Sequence, residues 1–263
     1  MGATDFADDA RRIARSFVTA RRAATALADY PGPIPPALDA AYDVQDAAMA
    51  LDGGAVGGWK VGRINPPREG YDRLAGPIFT SQILAESPGL AMPVFADGFA
   101  AAEAEFLLRV GQAPPAGQTD FTLEQATALI DAVHIGIEIA SSPLPTINDL
   151  GPTVTISDFG NNNGLVIGEG VAGWRDADLN GWPVRLLING TEAGAARAAD
   201  MLDGPFGAAR FLFGLLARRG IAVTPGQWIS TGAVTGVHPV QVGDRVEAIF
   251  DGHRHVACAI KAA

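Results

Sequence analysis

The chain has 263 residues, with 29 Asp and Glu against 19 Lys and Arg, a net charge of −10. That balance argues against a nucleic-acid-binding surface, and no apolar run approaches the ~20 residues that a membrane helix needs. The single cysteine, Cys258, rules out a disulfide within the chain. Together with an N-terminus that lacks a basic start and apolar stretch, this sets cytoplasmic as the expected location.

The first part of the chain reads as helix. Phe6, Ala10, Ile13, Phe17, Ala20 and Ala24 recur at helical spacing within residues 4–27. Residues 30–36, "YPGPIPP", break the pattern, and 37–52 form a second expected helix closed by Gly53 and Gly54. Short apolar or alternating runs then follow at 57–64, 77–84, 89–96 and 100–110, separated by Gly and Pro, and read as strands. A helix is expected over 122–134, opened by a Thr122–Gln125 capping box and ending at His134, whose charge would complement the helix dipole. Residues 135–140 read as a strand, and 153–168 as strand, polar loop, strand. Asn189-Gly190 and Asp251-Gly252 are hairpin signals, and 205–220 is an apolar helix closed by Gly220. The expected architecture is α+β: a small helical N-terminal region over 1–55 and a mixed, β-rich catalytic core over 56–263.

Most familiar motifs fail. "GEGVAG" at 168–173 matches G-x-G-x-x-G, but turn residues and strand formers follow it instead of a helix. There is no P-loop, no G-x-S-x-G, and no Cys/His spacing of a zinc site. What remains is a set of glutamates in apolar strands. In "AEAEF", Glu103 and Glu105 share one strand face, with Leu107 and Arg109 continuing it. On these residues alone, a wet face with Glu105 paired to Arg109 is as good a reading as a site. Glu138 is harder to dismiss. It is the only charge in "IGIEIA", and burying it unpaired is prohibitive. Three carboxylates without as many nearby bases suggest a hard divalent ion. Lys60, between Gly58 and Gly62 in "GGWKVG", is the complementary base; alone it reads as a solvated strand lysine, but held near a metal and partly desolvated its pKa would fall and it could move protons.

Taken together, "GGWKVG", "GPIF", "AEAEF", "IGIEIA", "SDFGNNNG" and "ISTGAVTGV…VGDRVEAIF" resemble the fumarylacetoacetate hydrolase superfamily, over nearly the whole chain. They are most similar to its branch of 2-hydroxypenta-2,4-dienoate (2-keto-4-pentenoate) hydratases and 4-oxalocrotonate decarboxylases. The resemblance implies a β-rich roll, Mg²⁺ or Mn²⁺ held by Glu103, Glu105 and Glu138, Lys60 beside the substrate, and a homo-oligomer. Two departures sort the branches. No histidine precedes His134, so the Glu–His pair of the hydrolases is missing from its usual place, and Ala233 stands where they carry a second Thr. Both favour a hydratase or decarboxylase over a hydrolase, and the resemblance implies first a hydratase in aromatic catabolism, adding water to a 2-hydroxy-2,4-dienoate to give a 4-hydroxy-2-oxo acid. The alternatives are a 4-oxalocrotonate-type decarboxylase and, behind it, an acylpyruvate hydrolase or tautomerase. Phe79, Asp158 and Thr231 are the expected contacts of the remaining substrate, with loop 158–163 around them, and His238 either lines the site or caps a turn.

Overall fold

The structure is a computed structural model describing residues 3–263, with side chains from residue 6 onward. Helix α1 (Ala3–Ala23) and helix α2 (Leu38–Asp52) come first. The apolar stripe of α1 is buried as its periodicity predicts, with Ile13 and Phe17 fully covered. It stops short of residue 27 because Ala24 turns left-handed, at φ 49°. Gly53, left-handed at φ 73°, closes α2. Both helices share a core with Phe79, Leu144, Ile147, Val154 and Phe159.

Strands β1 (Val56–Arg68), β2 (Tyr71–Phe79), β3 (Ile83–Ala85), β4 (Ala91–Val94) and β5 (Phe99–Val110) follow. The run expected at 77–84 is divided by a 3₁₀ turn at Thr80–Gln82. Helix α3 (Leu123–Ala128) opens with the expected Thr122–Gln125 capping box but is one and a half turns long. The chain then enters β6 (Ile130–Ser142), so the expected helix to His134 is corrected. Pairing along β5, with Asp131 bonded to Arg109 at 2.8 Å, outweighs local helix preference here. His134 therefore lies on a strand, with Nδ1 2.9 Å from the Gly168 carbonyl and its ring edge-on to Trp228; it complements no helix dipole.

Residues Pro152–Ser157 form α4, not the expected strand, started by Pro152 in the first turn after Gly151. β7 (Asn162–Gly170), β8 (Pro183–Ile188), β9 (Thr191–Arg197), α5 (Gly204–Arg218), β10 (Trp228–Ser230), β11 (His238–Pro239), β12 (Arg245–Phe250) and β13 (Arg254–Ala262) complete the chain. Both hairpin turns form where expected, between β8 and β9 and between β12 and β13.

One sheet runs β2-β1-β10-β5-β6-β7-β3, with β11 also on β5; the other runs β4-β13-β12-β8-β9. Parallel pairs, such as β1 with β10, sit among antiparallel ones. Ala102, Ala104, Phe106 and Leu108 of β5 and Ile135, Ile137 and Ile139 of β6 fill the space between the sheets with Val246, Phe250 and Val256. Phe106 meets Phe250 edge-on at 5.2 Å. Because strand residues alternate, this packing turns Glu103, Glu105 and Glu138 to the opposite face. No helix of the described residues is long and apolar enough to cross a membrane.

Candidate functional site

The register of the central strands brings the acids together. Glu103 lies directly across from Glu138, and Glu105 across from Gly136. Each of the three offers one oxygen within 4.8 Å of the others'. Glu105 and Glu138 are fully covered and Glu103 is 5% exposed. Arg109, the surface partner considered for Glu105, instead bonds Asp131 on the outer part of the sheet.

Two carboxylates are held by one oxygen and free at the other. Glu105 Oε2 accepts from the Ser230 hydroxyl and from the Gly232 amide at 3.0 Å, while its Oε1 is buried without a partner. Glu138 Oε1 accepts from Asn162 Nδ2 at 2.8 Å and meets Lys60 Nζ at 3.0 Å, while its Oε2 is likewise orphaned. A buried oxygen left unpaired costs roughly 1–3 kcal/mol, more when charged. Two such atoms in a triad of hard oxygen donors fit a divalent ion of the Mg²⁺, Mn²⁺ or Ca²⁺ type.

Lys60 sits on β1 with only 4% exposure. Besides Glu138 it donates to Asn161 Oδ1 at 2.9 Å, and Asn161 Nδ2 donates to Asn148 at 2.9 Å. Asn161 belongs to a turn in which Phe159, Gly160 and Asn161 are successively left-handed, at φ 56°, 65° and 58°. Strain of this kind is held only when the surroundings enforce it. Gly76 on β2 makes room for it: a Cβ there would lie 2.0 Å from the Phe159 carbonyl.

The charges act on one another. Burial pushes the Glu103 carboxyl up to about 7, against the pull of Lys60 and with the push of Glu138. Burial, then Glu138 and Glu103, raise Glu105 well above the usual range. For Lys60, burial favours the neutral amine, but Glu138, Glu103 and Glu105 more than reverse it, and its pKa is raised. Three carboxylates thus surround the ammonium and keep it charged; the fall expected of a lysine desolvated beside a metal concerns the loaded site.

A cavity of about 930 Å³ opens above this cluster, lined by Lys60, Glu103, Asn161 and Thr231 and by the tip of the β1–β2 hairpin. That is the size of a small-molecule site. Thr231 lines it, its hydroxyl donating to the Phe106 carbonyl at 2.8 Å. Asp158 does not line it. It is fully buried on the far side of loop 158–163, clamped by Arg21 at 2.6 and 2.9 Å and by Ser142 at 2.6 Å. Phe79 is also outside, packed edge-on against Phe159 at 5.2 Å in the helix-side core. These two expected substrate contacts are corrected to structural positions, because strand and turn alternation sends them away from the acids. His238 bonds the Thr235 carbonyl at 3.0 Å and so ties down its own loop beside the cavity.

Sequence reasoning pointed to loop 158–163 but missed that Asn161 and Asn162 hold Lys60 and Glu138, and it missed Ser230. The run of three asparagines was the available signal, since Asn tolerates the left-handed turn. Nothing in "WIS" marks its serine.

No protein-family model matches the chain. Solved structures do. The 4-oxalocrotonate decarboxylase of Pseudomonas putida G7, complexed with magnesium and adipate, superposes with a TM-score of 0.81 at 20% identity, covering 96% of this chain and 97% of that one. The 5-carboxymethyl-2-hydroxymuconate delta-isomerase of Mycobacterium smegmatis gives 0.59 at 18% identity, over 80% of each chain. The fumarylpyruvate hydrolase of Pseudomonas aeruginosa, complexed with Mn²⁺ and pyruvate, gives 0.57 at 14% identity, over 78% of this chain and 89% of that one. The chain has the fold of these enzymes, as the β-rich roll expected from the sequence requires.

Proposed function

We propose that the chain is a divalent-metal-dependent enzyme of the fumarylacetoacetate hydrolase superfamily that hydrates a 2-hydroxy-2,4-dienoate to a 4-hydroxy-2-oxo acid. The observation that carries this reading is the buried triad of Glu103, Glu105 and Glu138, with its two orphaned oxygens, beside a charged Lys60 at the base of a ligand-sized cavity. The triad would hold Mg²⁺ or Mn²⁺, which supplies Lewis-acid stabilisation of negative charge developing at the substrate's C2 oxygen.

The chain's own groups have distinct parts. Ser230 and the Gly232 amide fix Glu105, and Asn162 fixes Glu138, so both carboxylates present their free oxygens without reorganising. Lys60 contributes a positive charge and a proton donor in a water-poor corner, held to Glu138 and Asn161 and lining the cavity. Hydration needs a proton delivered at C5 and water added at C4, and Lys60 is the candidate to position or deliver that proton. No histidine lines the cavity among the described residues, which supports a lyase over a hydrolase that activates water with a Glu–His pair.

Decarboxylation is the second reading, favoured by the likeness to 4-oxalocrotonate decarboxylase along almost the full length of both chains. Both reactions place negative charge on the same oxygen of a 2-oxo acid. Turnover of freshly generated 2-hydroxypenta-2,4-dienoate and of 4-oxalocrotonate, with and without Mg²⁺, separates them. Metal-dependent water addition is expected; CO₂ release without hydration assigns the decarboxylase, and activity unchanged by chelation removes the metal site. A homo-oligomer is part of the same reading and is checked by analytical ultracentrifugation.

A further inference from the structure

Lys60 has three N–H donors, and the fold engages two of them. One goes to Asn161 Oδ1 at 2.9 Å and one to Glu138 Oε1 at 3.0 Å. The third has no acceptor among the described residues, and Lys60 lines the cavity. An ammonium group is tetrahedral, so holding two of its N–H bonds sets the direction of the last. That direction is only as definite as the two acceptors. Glu138 is held by Asn162 Nδ2 at 2.8 Å, which leaves the outcome to Asn161.

Asn161 is gripped at both ends of its amide. Its Oδ1 accepts from Lys60, and its Nδ2 donates to Asn148 Oδ1 at 2.9 Å. One bond alone would let the amide pivot about it; a bond at each end fixes its plane and which atom faces the ammonium. Among the described residues Asn148 makes one side-chain hydrogen bond, the one to Asn161. It lines the cavity from an exposed turn, yet its backbone is firmly mounted. The amides of Asp149 and Leu150 donate to the Thr146 carbonyl at 3.0 and 3.2 Å, the Thr155 hydroxyl donates to the Ile147 carbonyl at 3.2 Å, and Ile147 is fully buried. An asparagine on a turn commonly bonds backbone close by in the chain. This one instead holds a buried, left-handed residue 13 positions away.

We propose that Asn148 is a positioning residue for Lys60: through Asn161 it aims the third N–H of the ammonium into the cavity, at the substrate carbon that takes up the proton. This rests on the reaction proposed above. There the ammonium proton adds at C5, the C2 hydroxyl loses its proton as it becomes a carbonyl, and a proton returns to the amine from solvent. Such a transfer depends steeply on alignment. Holding the metal and the chelating end of the substrate falls to the triad and does not need Asn148.

The test compares wild type, Asn148→Ala and Asn148→Asp, all Mg²⁺-loaded, on freshly generated 2-hydroxypenta-2,4-dienoate. Asn148→Ala is expected to lower kcat roughly 10-fold, the size of one hydrogen bond, with KM and the calorimetric Mg²⁺ affinity unchanged. Asn148→Asp keeps an oxygen that accepts from Asn161 Nδ2 and should recover most of the lost kcat. A rise in KM at unchanged kcat would make Asn148 a wall of the cavity and nothing more. Equal losses in the two variants would mean that its bond to Asn161 is not what matters. Either result overturns the proposal. Melting of the metal-free protein gives a second readout that needs no turnover. Asn148→Ala should lower Tm less in a Lys60→Met background than in wild type, because the two residues act through the same amide. Equal Tm losses in both backgrounds overturn the link between them. If the dienoate does not react but the Tm losses remain coupled, the reaction assigned above fails and the positioning of Lys60 stands.

Discussion

Two buried charged clusters meet at the loop 158–163, and they are built by opposite rules. On the helix side, Asp158 is saturated: Arg21 takes both its oxygens and Ser142 donates a third bond, while Asn163 accepts from the same guanidinium at 3.1 Å. On the cavity side, three carboxylates share one ammonium, and two oxygens are left bare. One loop serves both sides, its ends Asp158 and Asn163 on the first and Asn161 and Asn162 between them on the second. A saturated buried charge holds the fold together, whereas an unsaturated set of like charges is tolerated because a ligand completes it.

The comparison can be broken from either side. Asp158→Asn leaves the Arg21 charge buried without its partner and should lower unfolding free energy by roughly 3–5 kcal/mol, read from urea unfolding, with little change in Mg²⁺ affinity. Glu138→Gln should reverse the pattern. It removes a ligand and the partner of Lys60, so kcat/KM should fall by at least ~100-fold, with Mg²⁺ binding lost by calorimetry. Ser230→Ala sharpens the contrast, because Ser230 only orients Glu105; a loss of roughly 10–100-fold in metal affinity is expected, with the fold intact by circular dichroism. Glu105→Gln imitates the protonated carboxyl that burial already favours, so the metal-free variant should melt no lower than wild type while losing its Mg²⁺ response.

The smallest effect expected is a pH dependence. Glu103 is raised from 4.5 to about 7 and Glu105 is raised as well, so between these values the folded chain binds more protons than the unfolded one. Stability of the metal-free protein from this source is therefore lost as pH rises from 4.5 through about 7. Protons and metal compete for the same oxygens. The rise in Tm on adding Mg²⁺ should be larger at pH 8 than at pH 6, and an equal rise at both would mean that the metal displaces no protons.

Much of this was legible beforehand. The convergence of Glu103 and Glu105 followed from alternation along a strand, and Glu138 stood out as a charge with no local reason to be buried. The hairpins at Asn189-Gly190 and Asp251-Gly252 and the Thr122 capping box depend on residues within four of each other, and all formed. The failures share one cause. Residues 129–134 carry a helical pattern locally, yet β5 recruits them as a strand, and 153–157 is β-branched yet coils after Pro152. Phe79 and Asp158 were near the right segments but on the wrong side of them.

The sequence by itself determined the chemistry on offer: three acids and a lysine in apolar strands, and two hairpins of the second sheet. Short-range alternation and turn preference suffice for that. Only the tertiary structure decided that Glu103 faces Glu138, that Asn161 and Asn162 hold Lys60 and Glu138, and that Arg21 rather than a ligand takes Asp158. Those contacts join residues 24 to 137 positions apart, where register and packing, not local preference, set which side chain meets which.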